Sequence, residues 1–67
     1  MPAKITHTAL PTVIGQAVTI RSNVDNSEKR GVVAYFDAAK NAVRVDRNRS
    51  SFWVFAVNSA SEYVFIQ

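Results

Sequence analysis

Few side chains in this 67-residue chain are suited to catalysis. It has no cysteine, and its one histidine, His7, has no second metal ligand beside it in the sequence. The carboxylates are spread along the chain, with no pair spaced for acid and base roles. They are Asp25, Glu28, Asp37, Asp46 and Glu62. The two glycines, Gly15 and Gly31, are too few for a phosphate-cradling loop. We predict that the protein is not an enzyme and binds neither a metal nor a cofactor.

Aromatic rings and a guanidinium offer a different chemistry. Trp53 and Phe55 alternate along one apolar run. Counting across the predicted hairpins places Tyr35 and Arg44 of the two preceding runs on the same face. Nucleic-acid bases stack on aromatic ring faces, and each such contact contributes about 1 to 3 kcal/mol. A guanidinium adds positive charge and a second stacking plane. These four side chains predict a non-catalytic nucleic-acid-binding surface, with DNA and RNA not distinguished.

Cations at the predicted turns extend this surface. Lys40, Arg47 and Arg49 lie at or near hairpin ends, where long side chains reach phosphates, and Lys29 and Arg30 in the first loop continue the same stripe. The net charge of +3 makes this a basic protein and favours a polyanionic partner. The alternative interpretation is a solvated rim that protects strand edges and keeps the protein soluble.

The elements that must position these groups are short, evenly spaced strands. Apolar runs begin near Val32, Ala42, Phe52 and Glu62, and four polar or small residues separate each run from the next. Such spacing, with turn formers at each boundary, is typical of an antiparallel meander or small barrel. The predicted strands are 32–37, 42–47, 52–57 and 62–67.

An additional strand precedes these four. Val18 and Ile20 alternate with polar residues after Gly15, as in a half-buried strand, and a polar loop then runs from Ser22 to Gly31. We therefore predict an all-β fold, a five-stranded antiparallel small barrel or strongly bent meander. Residues 1–14 lack a clean period and contain Pro11, which predicts an extended N-terminal arm with room for one helical turn. Residues 15–67 form a single small β-barrel domain in this interpretation.

Counting across four-residue hairpins assigns the side chains to two faces, because opposite residues share a face. The first face is apolar and predicts the core: Phe36, Val43, Ala56, Tyr63, Ala34, Val45, Val54 and Phe65. The second face mixes apolar groups with charge: Tyr35, Arg44, Phe55, Val64, Val33, Asp46, Trp53 and Ile66. We expect Asp46 to form an ion pair there with Arg44, since an unpaired desolvated carboxylate is costly.

The second face is too apolar to be left fully exposed, and three coverings are open. The N-terminal arm is one, through Ile5, Leu10, Val13 and Ile14. A second copy of the chain is another, and single-stranded nucleic acid is the third. The rival to nucleic-acid binding is therefore a protein-interaction or homo-oligomerising module. Such a small regulator or accessory protein would dock through this apolar face or an edge strand.

The spacing also resembles that of the five-stranded SH3-like small barrels, which include the KOW, Tudor and Sm-like modules. The resemblance rests on Gly15, Val18 and Ile20, then Gly31-Val32-Val33 after a polar loop, then the strand Ala42-Val43-Arg44-Val45. It runs from Gly15 to the C-terminus and implies a small barrel of the kind that acts in transcription and RNA metabolism. The chain lacks the second loop glycine of KOW modules and an obvious aromatic cage for a methylated residue.

Size and termini set the remaining expectations. The N-terminus has no long apolar stretch typical of a signal peptide, and no segment approaches the roughly 18 apolar residues that cross a bilayer, which predicts a cytoplasmic protein. Without cysteine, a core this small has no disulfide to support it. Self-association is therefore expected as one way to stabilise the fold.

Overall fold

The computed structural model describes residues 3–66, which form one antiparallel sheet and a short helix. The strands are β1 (Ala3–Ile5), β2 (Ala17–Ser22), β3 (Glu28–Asp37), β4 (Ala42–Arg47), β5 (Ser50–Phe55) and β6 (Glu62–Ile66). A 3-10 helix, His7–Thr12, lies between β1 and β2. The prediction of an all-β fold is confirmed. No helix within these residues is long and apolar enough to span a membrane.

The sheet has six strands rather than the predicted five, in the order β1-β6-β2-β3-β4-β5. The extra strand is β1, which belongs to the predicted arm and pairs with β6, Lys4 lying opposite Phe65. The outer strands β1 and β5 do not pair with each other. The sheet is therefore not closed across the described residues, and of the two predicted forms, a small barrel or a strongly bent meander, the barrel is wrong for them.

The four-residue spacing predicted a hairpin between β5 and the last strand, β6. The structure does not contain this hairpin. Strand β6 instead pairs with both β2 and β1, and Ile20 lies opposite Val64. The connection before β6 is held beside the β2–β3 turn, where the Asn23 N–H donates to the Ser61 carbonyl at 2.7 Å. This pairing buries Val64, which was predicted on the second face. Tyr63 and Phe65, predicted in the core, alternate with Val64 and so lie on the opposite face.

A β-bulge shifts the pairing of β3 with β4 by one residue. Val33 lies opposite Val45 and Tyr35 lies opposite Arg44, so Ala34 is the extra residue. Val33 is therefore fully buried, although counting placed it on the second face, and Ala34 loses its predicted partner. The backbone of Val33 is also held by the segment just before β2, because its carbonyl accepts the Gly15 N–H at 2.7 Å.

The β4–β5 turn is shorter than predicted. Only Asn48 and Arg49 lie between the strands, since Arg47 pairs with Ser50. Asn48 adopts a φ of 48°, a left-handed conformation that asparagine tolerates better than most residues. The shortening moves the register by two residues, so Arg44 lies opposite Trp53 rather than Phe55. Because side chains alternate with a period of two, both rings keep the predicted face.

The core lies on one side of the sheet and includes the 3-10 helix. Its buried members are Leu10, Val13, Val18, Ile20, Val33, Val43, Val45, Val54 and Val64. Most are valines, whose β-branched side chains favour strands and pack well on a pleated surface. Burial of each such side chain contributes about 1.5 to 3 kcal/mol relative to exposure. The core is therefore assembled from five strands and the helix.

The β2–β3 turn ends earlier than the predicted loop, because Glu28 already belongs to β3. Within the turn, the Ser27 N–H donates to Asp25 Oδ1 at 3.1 Å. This hydrogen bond holds the pKa of the Asp25 carboxyl below its usual value. Gly31 consequently lies inside β3 rather than at the start of a strand. It lies opposite Val18 of β2.

We predict that Gly31→Ala destabilises the fold. A Cβ on Gly31 would lie 2.5 Å from Val45 Cγ1 and 2.6 Å from the Asp46 carbonyl oxygen, and the backbone oxygen cannot move without disturbing β4. Overpacking of this kind costs about 1 to 3 kcal/mol, which lowers Tm by at least about 4 °C in a chain of this size. Thermal unfolding followed by circular dichroism measures the change.

The matched control is Val32→Ala, which truncates the exposed neighbour of Gly31 in the same strand. Surface substitutions of this kind usually change stability by no more than about 0.5 kcal/mol. Equal melting temperatures for Gly31→Ala and the wild type would contradict the close approach of β3 and β4.

Candidate nucleic-acid interface

The predicted aromatic and cationic groups meet on the face of the sheet opposite the core, which we call the outer face. Tyr35, Arg44 and Trp53 form one row across β3, β4 and β5, because each lies opposite the next in the register. Phe55 follows Trp53 on the same face of β5. Tyr35 is 41%, Trp53 39% and Phe55 61% exposed. The register therefore places all three rings and the guanidinium together and open to solvent.

The rings of this row contact one another and two cations. Tyr35 and Trp53 pack edge to face, with ring centroids 5.8 Å apart. The Arg44 guanidinium carbon lies 4.8 Å from the Tyr35 ring centroid, and the Lys40 Nζ lies 5.2 Å from that of Trp53. Cation–π contacts at exposed sites contribute about 0.5 to 1 kcal/mol each. The cluster is thus partly ordered by its own contacts.

Arg44 forms the expected ion pair with Asp46. Its Nε–H donates to Asp46 Oδ1 at 2.9 Å, and its Nη2 donates to Oδ2 at 3.3 Å. The two residues are neighbours on the outer face because they are two apart in β4. Both side chains are more than a third exposed, so the pair adds little stability. Its main effect is to offset the positive charge that Arg44 offers to a ligand.

Lys40 has no acidic partner among residues 3–66 and is positioned by the β3–β4 turn. The Asp37 carboxylate accepts the backbone N–H groups of Ala39 and Lys40 at 3.0 and 3.3 Å, as in an Asx turn. Asn41 closes the turn with a φ of 52°. This geometry brings the ammonium over Trp53. The sequence signal was the turn former Asp37 three residues before the lysine, although the ring contact itself was not predicted.

The N-terminal segment does not cover the outer face. Leu10 and Val13 are buried in the core cluster, and Ile5 packs against the same cluster. These contacts lie on the opposite side of the sheet from Trp53, whereas Ile14 is exposed. The hypothesis that the arm seals the aromatic face is therefore wrong.

Three of the predicted loop cations gather at one end of the sheet, around the β4–β5 turn. Arg47 and Arg49 line an open groove around the β4–β5 turn, and Arg30 lines the adjoining groove together with Arg47. Lys29 lies elsewhere. It is opposite Ile20 on the core side, with its Nζ 5.4 Å from the Phe52 ring centroid. The structure therefore separates Lys29 from the other predicted site residues.

His7 has a carboxylate partner that the sequence did not predict. The buried imidazole places its Nε2 3.2 Å from Glu62 Oε1, which joins the 3-10 helix to β6. The two residues are 55 positions apart, and no local pattern indicates their contact. Across residues 3–66, no group of three or more histidine, cysteine or acidic side chains is arranged to hold a metal ion.

Comparisons with known proteins do not assign the chain to a family. No protein-family model, no curated protein and no solved structure matches the chain. The resemblance to SH3-like modules therefore rests on the sequence pattern alone and stays a prediction.

We predict that Lys40→Ala selectively reduces iodide quenching of Trp53 fluorescence. Trp53 is the only tryptophan, so the emission reports directly on the outer face. An ammonium 5.2 Å from the ring attracts the anionic quencher, and its removal lowers the local iodide concentration. Quenching by neutral acrylamide should be unchanged or rise, since the ring becomes more accessible.

Lys29→Ala is the matched control, because this lysine contacts a ring on the other side of the sheet. It should leave the ratio of iodide to acrylamide quenching unchanged. Equal effects of the two substitutions would contradict the position of Lys40 over Trp53.

Proposed function

We propose that this protein binds nucleic acid, without catalysing a reaction, on the outer face of β3, β4 and β5. The observation that carries this proposal is the set of three exposed rings beside Lys40 and Arg44 on one sheet surface. Stacking platforms edged by cations are the usual means of binding single strands without sequence preference. DNA and RNA both present the bases and phosphates that such a surface recognises.

Phe55 is the most accessible stacking position. The residue is 61% exposed, and among the described residues no cation contacts its ring. Stacking on Trp53 requires a base to displace Lys40 from the indole face. The exchange costs one exposed cation–π contact and leaves the ammonium free to approach the adjoining phosphate. Both positions would contribute about 1 to 3 kcal/mol per stacked base.

The charge on the outer face and at the neighbouring end of the sheet supports a polyanionic ligand. Lys40, Arg30, Arg47 and Arg49 form no ion pair with any of residues 3–66, so their charges are available. Each neutralised phosphate contributes about 0.7 to the slope of log K against log salt for single strands. Four such contacts predict a slope of roughly −3. The resemblance to SH3-like modules of RNA metabolism agrees with this proposal, although fold likeness does not determine function.

A protein ligand is the second candidate. The exposed apolar side chains of Phe55 and Val57 favour it, since such groups also anchor protein interfaces. Binding through these side chains would depend weakly on salt, because few charges are neutralised. Salt dependence therefore separates the two candidate functions.

Fluorescence anisotropy with labelled single-stranded DNA, single-stranded RNA and duplex DNA tests the proposed function. We expect binding that weakens steeply as salt rises. Phe55→Ala and Trp53→Ala should each reduce affinity about 5- to 150-fold, the loss that corresponds to 1 to 3 kcal/mol. Circular dichroism checks that each variant keeps its fold. Absence of binding to all three probes at low ionic strength would overturn the proposal.

The cations provide an internal comparison. Lys40→Ala should weaken binding more than Arg44→Ala, because Asp46 offsets the charge of Arg44. Lys29→Ala should have the smallest effect, since Lys29 lies off the outer face. Equal losses for all three lysine and arginine variants would indicate non-specific attraction to the net charge rather than a defined face.

A further inference from the structure

Strand β5 is an unpaired edge of the sheet. It pairs with β4 on one side, and no described strand pairs with its other side. Backbone hydrogen bonds from turns and loops do not reach that side within residues 3–66. The edge therefore presents free N–H and C=O groups along its length.

The register identifies which backbone groups point outward. The Ala56 N–H donates to the Asn41 carbonyl at 2.8 Å, in line with the pairing of Phe55 opposite Ala42. Hydrogen-bonded and non-hydrogen-bonded pairs alternate along an antiparallel ladder. Because the Ala56 N–H points toward β4, the residues one, three and five positions before Ala56 direct their N–H and C=O away from β4. They are Ser51, Trp53 and Phe55.

This edge lacks the features that normally prevent strand pairing. Natural edge strands are short or carry charge, proline or a bulge. Strand β5 has six residues without charge or proline, and its pairing with β4 is continuous. The opposite edge, β1, has three residues with Lys4 at its centre. Protection is thus present at β1 and missing at β5.

We infer that β5 pairs antiparallel with β5 of a second copy, about a two-fold axis at Trp53. This register sets Trp53 opposite Trp53 and Ser51 opposite Phe55, so that every outward group finds a partner. The charges fit it as well. Arg49, in the turn just before β5, lies at the two opposite ends of the new strand pair, and the register sets it beside position 57 of the other copy, in the uncharged segment 57–59.

The inferred dimer joins the two outer faces. A two-fold axis perpendicular to a continuous sheet keeps equivalent faces on the same side, because side-chain alternation is preserved across the new pair. The rings of Trp53 and Phe55 from both copies then form one surface. Pairing of β5 depends only on its backbone edge, so the inference stands independently of nucleic-acid binding.

Sedimentation combined with amide hydrogen exchange tests the inference on the wild-type chain. We expect a mass about twice 7.4 kDa that falls on dilution. The amides of Ser51, Trp53 and Phe55 should be protected at high concentration and exchange fast when diluted, whereas Val54, which bonds to β4, stays protected at both. A monomeric mass at high concentration, or amides that exchange alike at both concentrations, overturns the inference.

Ser51→Pro provides the matching variant. Proline at this position removes an outward N–H and blocks the approaching strand, and it removes no hydrogen bond to β4. We expect a monomer with an unchanged circular dichroism spectrum, while the control Ser51→Ala stays dimeric. Dimeric Ser51→Pro would overturn the inference. Should this variant fail to fold, exchange in the wild-type chain still decides between the outcomes.

Discussion

Pairing of β6 with β2 is the interaction on which the rest of the structure depends. It sets Val64 against Ile20 and brings the end of the described chain beside its beginning, where β1 adds to the same strand. The core gains Val64 from this arrangement, and Glu62 reaches the buried imidazole of His7. Because β6 pairs with β2 and not with β5, β5 is an edge strand of the sheet that residues 3–66 form.

The position of the helix follows from the same arrangement. A sheet that is apolar on one side needs a cover over that side, and the 3-10 helix supplies Leu10 for this purpose. Ile5, Leu10 and Val13 of the N-terminal segment are thereby used inside the molecule, whereas Ile14 is exposed. These three residues are not available to shield Trp53, so the aromatic rings are left for the solvent or for a ligand.

A core of this size leaves little surplus stability. Ordering costs about 1.5 kcal/mol per residue, and the chain has neither a disulfide nor a large apolar interior to offset that cost. Extending the sheet across β5 would add backbone hydrogen bonds without ordering any new segment. The rings of Trp53 and Tyr35 are likewise held in place before a ligand binds, because they contact Lys40 and Arg44.

Local alternation in the sequence was enough to predict β3, β4 and β5, and the outer face shared by Tyr35, Arg44, Trp53 and Phe55. That prediction held despite a wrong turn length, because an error of two residues returns each side chain to its face. The bulge at Ala34 shifts pairing by one residue, so the same counting failed for Val33.

Longer-range features were decided only by the tertiary structure. The partner of β6, the strand made from the predicted arm and the contact of His7 with Glu62 all join residues far apart in the chain. Side-chain periodicity describes which way a residue faces along its own strand. It carries no information on which distant edge that strand will meet, since every antiparallel edge offers the same backbone groups.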